Sequence, residues 1–299
     1  MLRDAMHIDR PYREALRQAG LDRVDAVLAQ VGGTVAAWSR TTDTVFIATP
    51  GGAGFYLKRY YYPRWRNRLR TMLRGTLFGR HRGAAEARLL LQMRRLGLPS
   101  VRPVAWGCRR IGPFVSASFL ITEAVPHATN LTTFARAVQD RRRLLPPAQR
   151  QAIAAALGRE VASLHEADFS HGQLFWRNIL LRFGPAGDPE FFFLDARPRR
   201  ARHTVVSGDG WWMEELGQVL VSALPFTTRA DRMRFACAYF GARKLTRQFK
   251  EILRETVRHA SRWRLHESQR IHMNDLFENW RRQLAREREL DRAAAGGEA

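Results

Sequence analysis

The chain is short of cysteine and has no long apolar run. Its two cysteines, Cys108 and Cys237, form no motif, so neither a disulfide framework nor a zinc site is expected. The longest apolar runs, such as VLVSALPF, are too short to span a bilayer. The first residues, MLRDAMHIDRPYREA, are charged and do not resemble a secretory signal. These absences predict a protein of a reducing cytoplasm.

Acidic residues are also scarce relative to basic ones. The chain of 299 residues contains 50 Lys and Arg and 28 Asp and Glu, so its formal net charge is +22. Such a field attracts polyanions, for example nucleic acid, anionic lipid surfaces or phosphorylated glycolipids. A genome that enriches arginine at solvated positions is an alternative source of the charge. Nucleic acid is the least favoured partner, because the sequence shows no helix-turn-helix and no aromatic–basic RNA motif.

The apolar pattern changes along the chain from sheet-like to helical. Residues 1–30 have helical spacing and predict a helical extension. TVAAW, TVFIAT and FYLKRYYY are rich in β-branched and aromatic residues and predict an antiparallel meander of three strands. Residues 83–97 predict a helix, and VRPVAWGC and PFVSASFLITEAV predict two more strands. We therefore expect a β-rich lobe over residues 1–123 and a helical lobe over residues 124–299.

The segment HGQLFWRNILL, residues 171–181, has the spacing of a kinase-like catalytic loop with one departure. Such loops contain His-x-Asp, then Asn five residues after the Asp, then a metal-binding Asp after a hydrophobic strand. His171, Asn178 and Asp195 stand at these positions, but Gln173 replaces the first Asp. Asn178 and Asp195 offer the oxygen ligands that Mg²⁺ prefers, so we expect them to bind it.

A candidate nucleotide-binding pair precedes this loop. Lys58 lies inside a predicted strand, and Glu86 lies in the helix that follows it. In kinases, an ion pair of this type holds the α- and β-phosphates of ATP. Lys and Glu are common residues, so the pair gains its meaning from standing in the expected order before the catalytic loop.

These residues resemble the protein-kinase-like fold and, within it, the lipopolysaccharide kinase (Kdo/WaaP) family. The similarity covers about residues 34–201 and includes LGLPSVRPVAWG, LITEAVPHATNL, the catalytic loop and FFFLDARPRRA. It implies an α+β, bilobal fold with a small antiparallel β-sheet lobe, one main helix there, and a larger helical lobe. ATP and Mg²⁺ are the implied cofactors. The implied reaction is phosphate transfer to a sugar hydroxyl of lipopolysaccharide or a related glycolipid, in the cytoplasm or at the cytoplasmic face of the inner membrane.

The resemblance also implies roles for residues near the nucleotide. Glu123 would begin the hinge between the lobes, whose backbone holds adenine. No G-x-G-x-x-G lies between the first two strands, where the sequence reads SRTTD. Ser39, Thr41 and Thr42 would therefore cover the phosphates in place of a glycine-rich loop.

Two further positions follow the metal-binding strand. Arg197 stands just after Asp195, where protein kinases have Phe-Gly. Asp209, in DGWWMEELG, is either the buried acid that anchors the catalytic loop or a plain helix N-cap.

Gln173 leaves the activity open. An amide is not basic at neutral pH, although its carbonyl oxygen can still accept a hydrogen bond from a hydroxyl. Loss of a general base typically slows a reaction by about 10²–10⁴-fold. Glu166 and Asp168 precede the loop, and we do not expect either to replace the base. The alternatives are a pseudokinase that binds or regulates in envelope biogenesis, and a small-molecule phosphotransferase of the aminoglycoside or choline kinase type.

The segment 59–82 is strongly basic, with eight arginines and no acid. Apolar residues recur there at helical spacing, and most arginines fall outside that stripe. This pattern is typical of an amphipathic helix on an anionic membrane surface. The alternative is an ordinary surface helix that packs its apolar stripe on the small lobe.

Overall fold

The computed structural model describes residues 2–39, 41–49, 54–62, 81–197 and 210–296. The first part of the chain forms a six-stranded antiparallel sheet with strand order β1-β5-β6-β4-β3-β2. The strands are β1 Leu2–Ile8, β2 Thr34–Ser39, β3 Thr42–Ala48, β4 Gly54–Tyr61, β5 Pro103–Ile111 and β6 Phe114–Glu123. Strands β2, β3 and β4 pair consecutively, so the predicted antiparallel meander is confirmed.

The first residues differ from the prediction of a helical extension. Residues 2–8 form strand β1, which pairs with β5 along its whole length. A short 3₁₀ turn, Arg10–Tyr12, and two short helices follow, α1 Arg13–Gln18 and α2 Val24–Ala29. The physical reason is that an edge strand offers unpaired backbone groups, and pairing with them outweighs the weak helical tendency of a few residues.

Helix α3, Arg82–Arg95, is the main helix of the sheet lobe. His81 caps its first turn by accepting a hydrogen bond from the amide of Ala84, at 3.3 Å. A Cβ at Gly83 would lie 2.1 Å from the carbonyl oxygen of Phe119, so only glycine permits this close approach to β6. The approach sets where the next turn of α3, which carries Glu86, meets the sheet.

The remainder of the chain is mostly helical, with a small second sheet. The three antiparallel strands of this sheet are β7 Thr129–Asn130, β8 Ile179–Phe183 and β9 Pro189–Phe193. The helices are α4 Leu131–Gln139, α5 Pro147–Glu166, α6 Trp211–Ala223, α7 Arg229–Tyr239 and α8 Arg247–Gly296. A 3₁₀ turn, Trp176–Asn178, precedes β8. The predicted α+β class is thus confirmed.

The largest core cluster joins the two parts of the chain. It contains Leu90 and Met93 of α3 together with Val161 of α5 and Phe193 of β9. A second cluster lies on the other side of the large sheet, against α1 and α2. Because α3 belongs to this shared core, the side chains of α3 that border the core lie where the two parts of the chain meet. The division into lobes at residue 123 stays a prediction.

None of the helices among the described residues is both long and apolar enough to cross a membrane.

Candidate functional site

The site is organised around the ammonium group of Lys58. Strand β4 places Lys58 in register between Thr44 of β3 and Leu120 of β6. Its Nζ lies 3.1 and 3.0 Å from the two carboxylate oxygens of Glu86 on α3. The predicted partners are therefore in contact. The buried hydroxyl of Tyr60, two residues further along β4, donates a hydrogen bond to the same carboxylate.

Asp195 approaches the same ammonium from the second part of the chain. Its Oδ1 lies 2.9 Å from Lys58 Nζ and 3.5 Å from Nε of Arg197. Asp195 has a φ of 58°, in the left-handed region that residues other than glycine seldom adopt. Such strain persists where surrounding contacts over-determine it, and it clusters at functional sites.

The charges at this site stabilise one another. Burial would raise the pKa of Asp195, but Lys58 and then Arg197 lower it to about 2. Burial would lower the pKa of Lys58, but Asp195 and Glu86 hold it well above its ordinary value. Burial raises the pKa of Glu86, and Lys58 opposes that rise. At neutral pH, Lys58 is therefore a cation and Asp195 an anion, as phosphate and metal binding would require.

The catalytic-loop segment is hydrogen-bonded to the segment that carries Asp195. The amide of Leu194 donates to the carbonyl of Asn178 at 3.0 Å, and the amide of Arg197 donates to the carbonyl of His171 at 2.9 Å. The side-chain amide of Asn178 donates to the backbone carbonyl of Gln173 at 2.9 Å. The structure thus brings the predicted loop residues beside Asp195.

His171 and Gln173 differ in their access to solvent. The ring of His171 is fully buried and packs against Phe193, with ring centroids 5.8 Å apart. Burial lowers the pKa of His171, so its imidazole is neutral at neutral pH. Gln173 is only partly buried, as a residue that meets a substrate must be. Glu166 and Asp168 are exposed ahead of the loop.

The acid that holds the loop is Glu215 of α6, which sequence reasoning missed. Its carboxylate accepts hydrogen bonds from the amide of Gly172 at 2.6 Å, the amide of His171 at 3.3 Å and the hydroxyl of Ser170 at 2.7 Å. Burial would raise the pKa of Glu215, but a hydrogen bond from His165 and the other donors lower it. The sequence signal was an acid on the buried face of the apolar helix WWMEELGQVLVSA. Asp209, our candidate for this role, lies outside the described residues.

The predicted phosphate-covering residues lie in the β2–β3 turn. The hydroxyl of Ser39 donates to the carbonyl of Thr42 at 3.2 Å, and the amide of Tyr61 donates to the carbonyl of Thr41 at 2.9 Å. Thr42 is two residues along β3 from Thr44, the partner of Lys58. The turn is therefore near the ammonium, while the Ser39 hydroxyl is engaged in closing the turn.

Glu123, the predicted start of the hinge, ends β6. Its carboxylate accepts a hydrogen bond from the hydroxyl of Tyr12 at 2.7 Å. The guanidinium of Arg102 lies 5.0 Å from the centroid of the Tyr12 ring and pairs with Asp9 at 3.0 Å. The turn after β1 thus braces the chain where it leaves the large sheet.

The basic segment 59–82 has a buried residue near each end, although Arg82 itself is exposed. Arg59 pairs with Asp43 at 2.6 Å and donates to the carbonyls of Leu28 and Gln30 at the end of α2. His81 is buried as well. Residues 63–80, on which the membrane hypothesis depends, lie outside the described residues.

Comparisons with known proteins are consistent with this geometry. A model of the lipopolysaccharide kinase (Kdo/WaaP) family matches residues 13–239. The lipopolysaccharide core heptose(I) kinase WaaP of Pseudomonas aeruginosa is 28% identical over 173 residues, 57% of this chain and 62% of that protein. The similarity thus spans less than two thirds of the length of this relative.

Two solved structures are similar to this chain to different degrees. WaaP in complex with acyl carrier protein has a TM-score of 0.58 and 21% identity, and the match covers 89% of this chain and 99% of that one. The kinase domain of a maize sucrose-induced receptor kinase bound to AMP-PNP has a TM-score of 0.41 and 14% identity, over 86% and 93% of the two chains. The first likeness confirms the predicted bilobal, kinase-like fold. Because the family model matches well over half of the chain, this protein belongs to the lipopolysaccharide kinase (Kdo/WaaP) family.

Proposed function

We propose that this protein transfers a phosphate group from ATP to a hydroxyl of a lipopolysaccharide core sugar or a related glycolipid. The observation that carries the proposal is the Lys58 ammonium, which joins Glu86 of the sheet lobe to Asp195 beside the catalytic loop. Family membership supports kinase chemistry, and the name of the curated relative supports the class of acceptor.

The side chains at the site suit a magnesium–nucleotide complex. Because Asn178 uses its NH₂ group on the Gln173 carbonyl, its carbonyl oxygen is the amide atom that would bind Mg²⁺. The ionised carboxylate of Asp195 would supply a second ligand, and Lys58 would hold the nucleotide phosphates. When bound, Mg²⁺ neutralises charge on the phosphate oxygens. In this proposal, the turn at Ser39, Thr41 and Thr42 covers the phosphates, and the backbone after Glu123 holds adenine.

Gln173 would orient the acceptor hydroxyl without removing its proton. As the new O–P bond forms and the bond to the leaving ADP breaks, that proton would pass to an oxygen of the transferred phosphate group or to water. Phosphoryl transfer depends mostly on positioning and charge neutralisation, because its transition state is loose. The side-chain carbonyl of Gln173 can accept a hydrogen bond from the attacking hydroxyl. Turnover is therefore slow but present in this proposal, and Gln173→Asp would speed it by about 10²-fold or more.

Turnover of radiolabelled ATP with purified lipopolysaccharide tests the proposal directly. We expect labelled lipopolysaccharide from the wild type, more from Gln173→Asp, and none from Asp195→Asn. A chain whose melting temperature rises with Mg²⁺ and ATP, but which labels nothing even as Gln173→Asp, is a pseudokinase instead. Label on an aminoglycoside or choline, with none on lipopolysaccharide, would identify the small-molecule phosphotransferase.

We also propose that the helical part binds an acyl chain presented by an acyl carrier protein. A cavity of about 480 Å³, within the usual range for ligand pockets, lies between α4, α5, α6, α7 and α8. Its walls are mostly apolar and include Phe134, Leu157, Val219 and Phe235. Trp176, from the catalytic 3₁₀ turn, forms another part of the wall, so an occupant would contact the element that carries Asn178.

Charge beside this cavity favours an acidic carrier. Residues 232–250 contain six basic residues and no acid. Met233 and Val257 line the cavity and are about half exposed, so they mark where it reaches the surface. A solved structure of WaaP, which shares the fold, contains an acyl carrier protein.

Mass spectrometry of the purified protein should find an acylated carrier. The variant Ala154→Phe would fill the cavity, and loss of the carrier from this variant would support the assignment. An empty wild-type protein would contradict it.

For the basic segment, we propose that it docks the protein on anionic lipid at the cytoplasmic face of the inner membrane. Arg59 and His81 are buried, so the contact would be made by residues 63–80 between them. The test is flotation with anionic liposomes. If binding to the liposomes is undiminished after Arg66, Arg70 and Arg74 are changed to Glu, membrane docking by this segment is excluded.

A further inference from the structure

Helix α6 carries a line of polar residues that faces the catalytic loop. Glu215, Gln218 and Ser222 have the spacing i, i+3, i+7, which places them on one face of the helix, and all three are buried. Glu215 accepts from the amide of Gly172, and the side-chain oxygen of Gln218 accepts from the amide of Leu174 at 2.6 Å. The helix thus holds the loop at two successive points.

The third polar residue reaches the loop through another helix. The hydroxyl of Ser222 lies 3.0 Å from Oε1 of Glu267 on α8, and Oε2 of Glu267 accepts from the guanidinium of Arg177. Arg177 is the residue before Asn178 in the 3₁₀ turn. The side chain of Glu267 is 1% exposed and that of Arg177 is 25% exposed, so solvent screens this ion pair little.

The same face of α8 also packs on the loop. Ala260 and Trp263 contact Phe175, whose ring is edge-on to that of Trp263 with centroids 5.5 Å apart. The Arg177 guanidinium lies 4.1 Å from the centroid of the Phe175 ring. Since Ala260, Trp263 and Glu267 also have the spacing i, i+3, i+7, one stripe of α8 supports the loop from Phe175 to Arg177.

We infer that Glu267 is a positioning residue, which holds Asn178 in place through Arg177, so that the C-terminal helix α8 is part of the active site. The chain of contacts is continuous. The Ser222 hydroxyl shares its one proton between Glu267 and the carbonyl of Gln218, each 3.0 Å away. Glu267 fixes Arg177, and Arg177 fixes the turn in which the side chain of Asn178 bonds the Gln173 carbonyl. The consequence for magnesium binding rests on the proposed kinase function. Partners that orient a metal ligand typically change metal affinity by about 10–100-fold when removed.

The test compares Glu267→Gln with a matched control, Asp275→Asn. Asp275 of α8 makes a comparable ion pair, but with Arg136 of α4 and not with a loop residue. In the ligand-free protein, hydrogen–deuterium exchange of loop residues 171–178 should quicken by roughly tenfold in Glu267→Gln and stay unchanged in the control. Ser222→Ala, a milder change, should give a smaller increase in the same peptide.

A second measurement addresses the metal. The Mg²⁺ concentration that gives half of the ATP-induced rise in melting temperature should increase about tenfold in Glu267→Gln and not in Asp275→Asn. Loop exchange in Glu267→Gln and Ser222→Ala that matches the control would overturn the inference. A wild type whose melting temperature ignores Mg²⁺ and ATP would refute the kinase proposal, while the exchange comparison would still decide the role of Glu267.

Discussion

One ammonium group shared by two largely buried carboxylates sets the energetics of individual residues at the site. Lys58, Glu86 and Asp195 expose only 17%, 10% and 20% of their side chains, so water screens their interactions little. Breaking such an arrangement from one side leaves charges buried without a counter-ion. The group that binds phosphate in our proposal therefore also stabilises the free protein.

Replacement of Lys58 by methionine tests this dual role. Lys58→Met leaves Glu86 and Asp195 close together, with Arg197 near Asp195 as the remaining cation, and we expect a loss of about 3 kcal/mol in the free energy of unfolding. Urea denaturation at neutral pH measures it. The loss should shrink as the pH falls, because protonation of the two acids relieves the repulsion. A loss below about 1 kcal/mol would show that solvent screens the trio as it does surface ion pairs.

His81 predicts a pH dependence of stability. Burial, and then the nearby Arg110, lower the pKa of His81 from 6.5 to about 4. Between these values the unfolded chain binds a proton that the folded protein does not, so the free energy of unfolding falls as the pH drops from about 6.5 to about 4. The expected fall is on the order of 3 kcal/mol.

The matched variant is His81→Ser, which keeps a side chain that can cap α3 but does not titrate. The loss of packing in this variant should lower the free energy of unfolding by the same amount at every pH. The part of the slope due to His81 should disappear between pH 6.5 and pH 4 in denaturant titrations. Parallel curves for the two proteins would assign the slope to other groups.

At the scale of elements, helix α3 is placed by a glycine contact. Gly83 lets the first turn of α3 lie against the backbone of Phe119 on β6, and Glu86 follows one turn later. The contact therefore determines the distance between the helix and Lys58 on β4.

Gly83→Ala tests that placement. Alanine favours a helix over glycine by about 1 kcal/mol, but here its Cβ would meet a carbonyl oxygen at 2.1 Å. We expect the clash to dominate, with a net loss of about 1–3 kcal/mol in the free energy of unfolding and weaker ATP binding as Glu86 moves away from Lys58. Equilibrium denaturation and an ATP titration measure the two effects. A more stable protein with normal ATP binding would show that α3 is not held by this contact.

At the scale of the whole molecule, the two parts meet through a shared core and through the ion pair of Lys58 with Asp195. A nucleotide held by groups from both parts would add a further link and would stabilise only the folded form.

Magnesium and ATP should therefore raise the melting temperature. At 100 times the dissociation constant, a ligand adds about 2.7 kcal/mol to the free energy of unfolding. Asp195→Asn should abolish the magnesium-dependent part of this gain, because an amide is a weaker ligand than a carboxylate. Asp168→Asn, at an exposed position before the loop, is the control and should respond as the wild type does. Equal responses from both variants would remove Asp195 from the metal site.

The sequence alone was sufficient to predict the meander, helix α3, the mostly helical second part and the family. The elements depend on local periodicity and on residue types at short, regular spacing, which can be read without coordinates, whereas the family was identified from the resemblance of its motifs. The predicted pairing of Lys58 with Glu86 joins residues 28 apart, yet their order ahead of the catalytic loop was enough to anticipate it.

Only the tertiary structure decided which distant groups hold the site together. Glu215 binds an amide 43 residues away, Glu267 binds a guanidinium 90 residues away, and residues 2–8 became a strand because β5 had a free edge. The physical reason is the same in each case. The partner of a buried carboxylate or of an edge strand is the group that tertiary packing places beside it. The spacing of residues along the chain does not specify that partner.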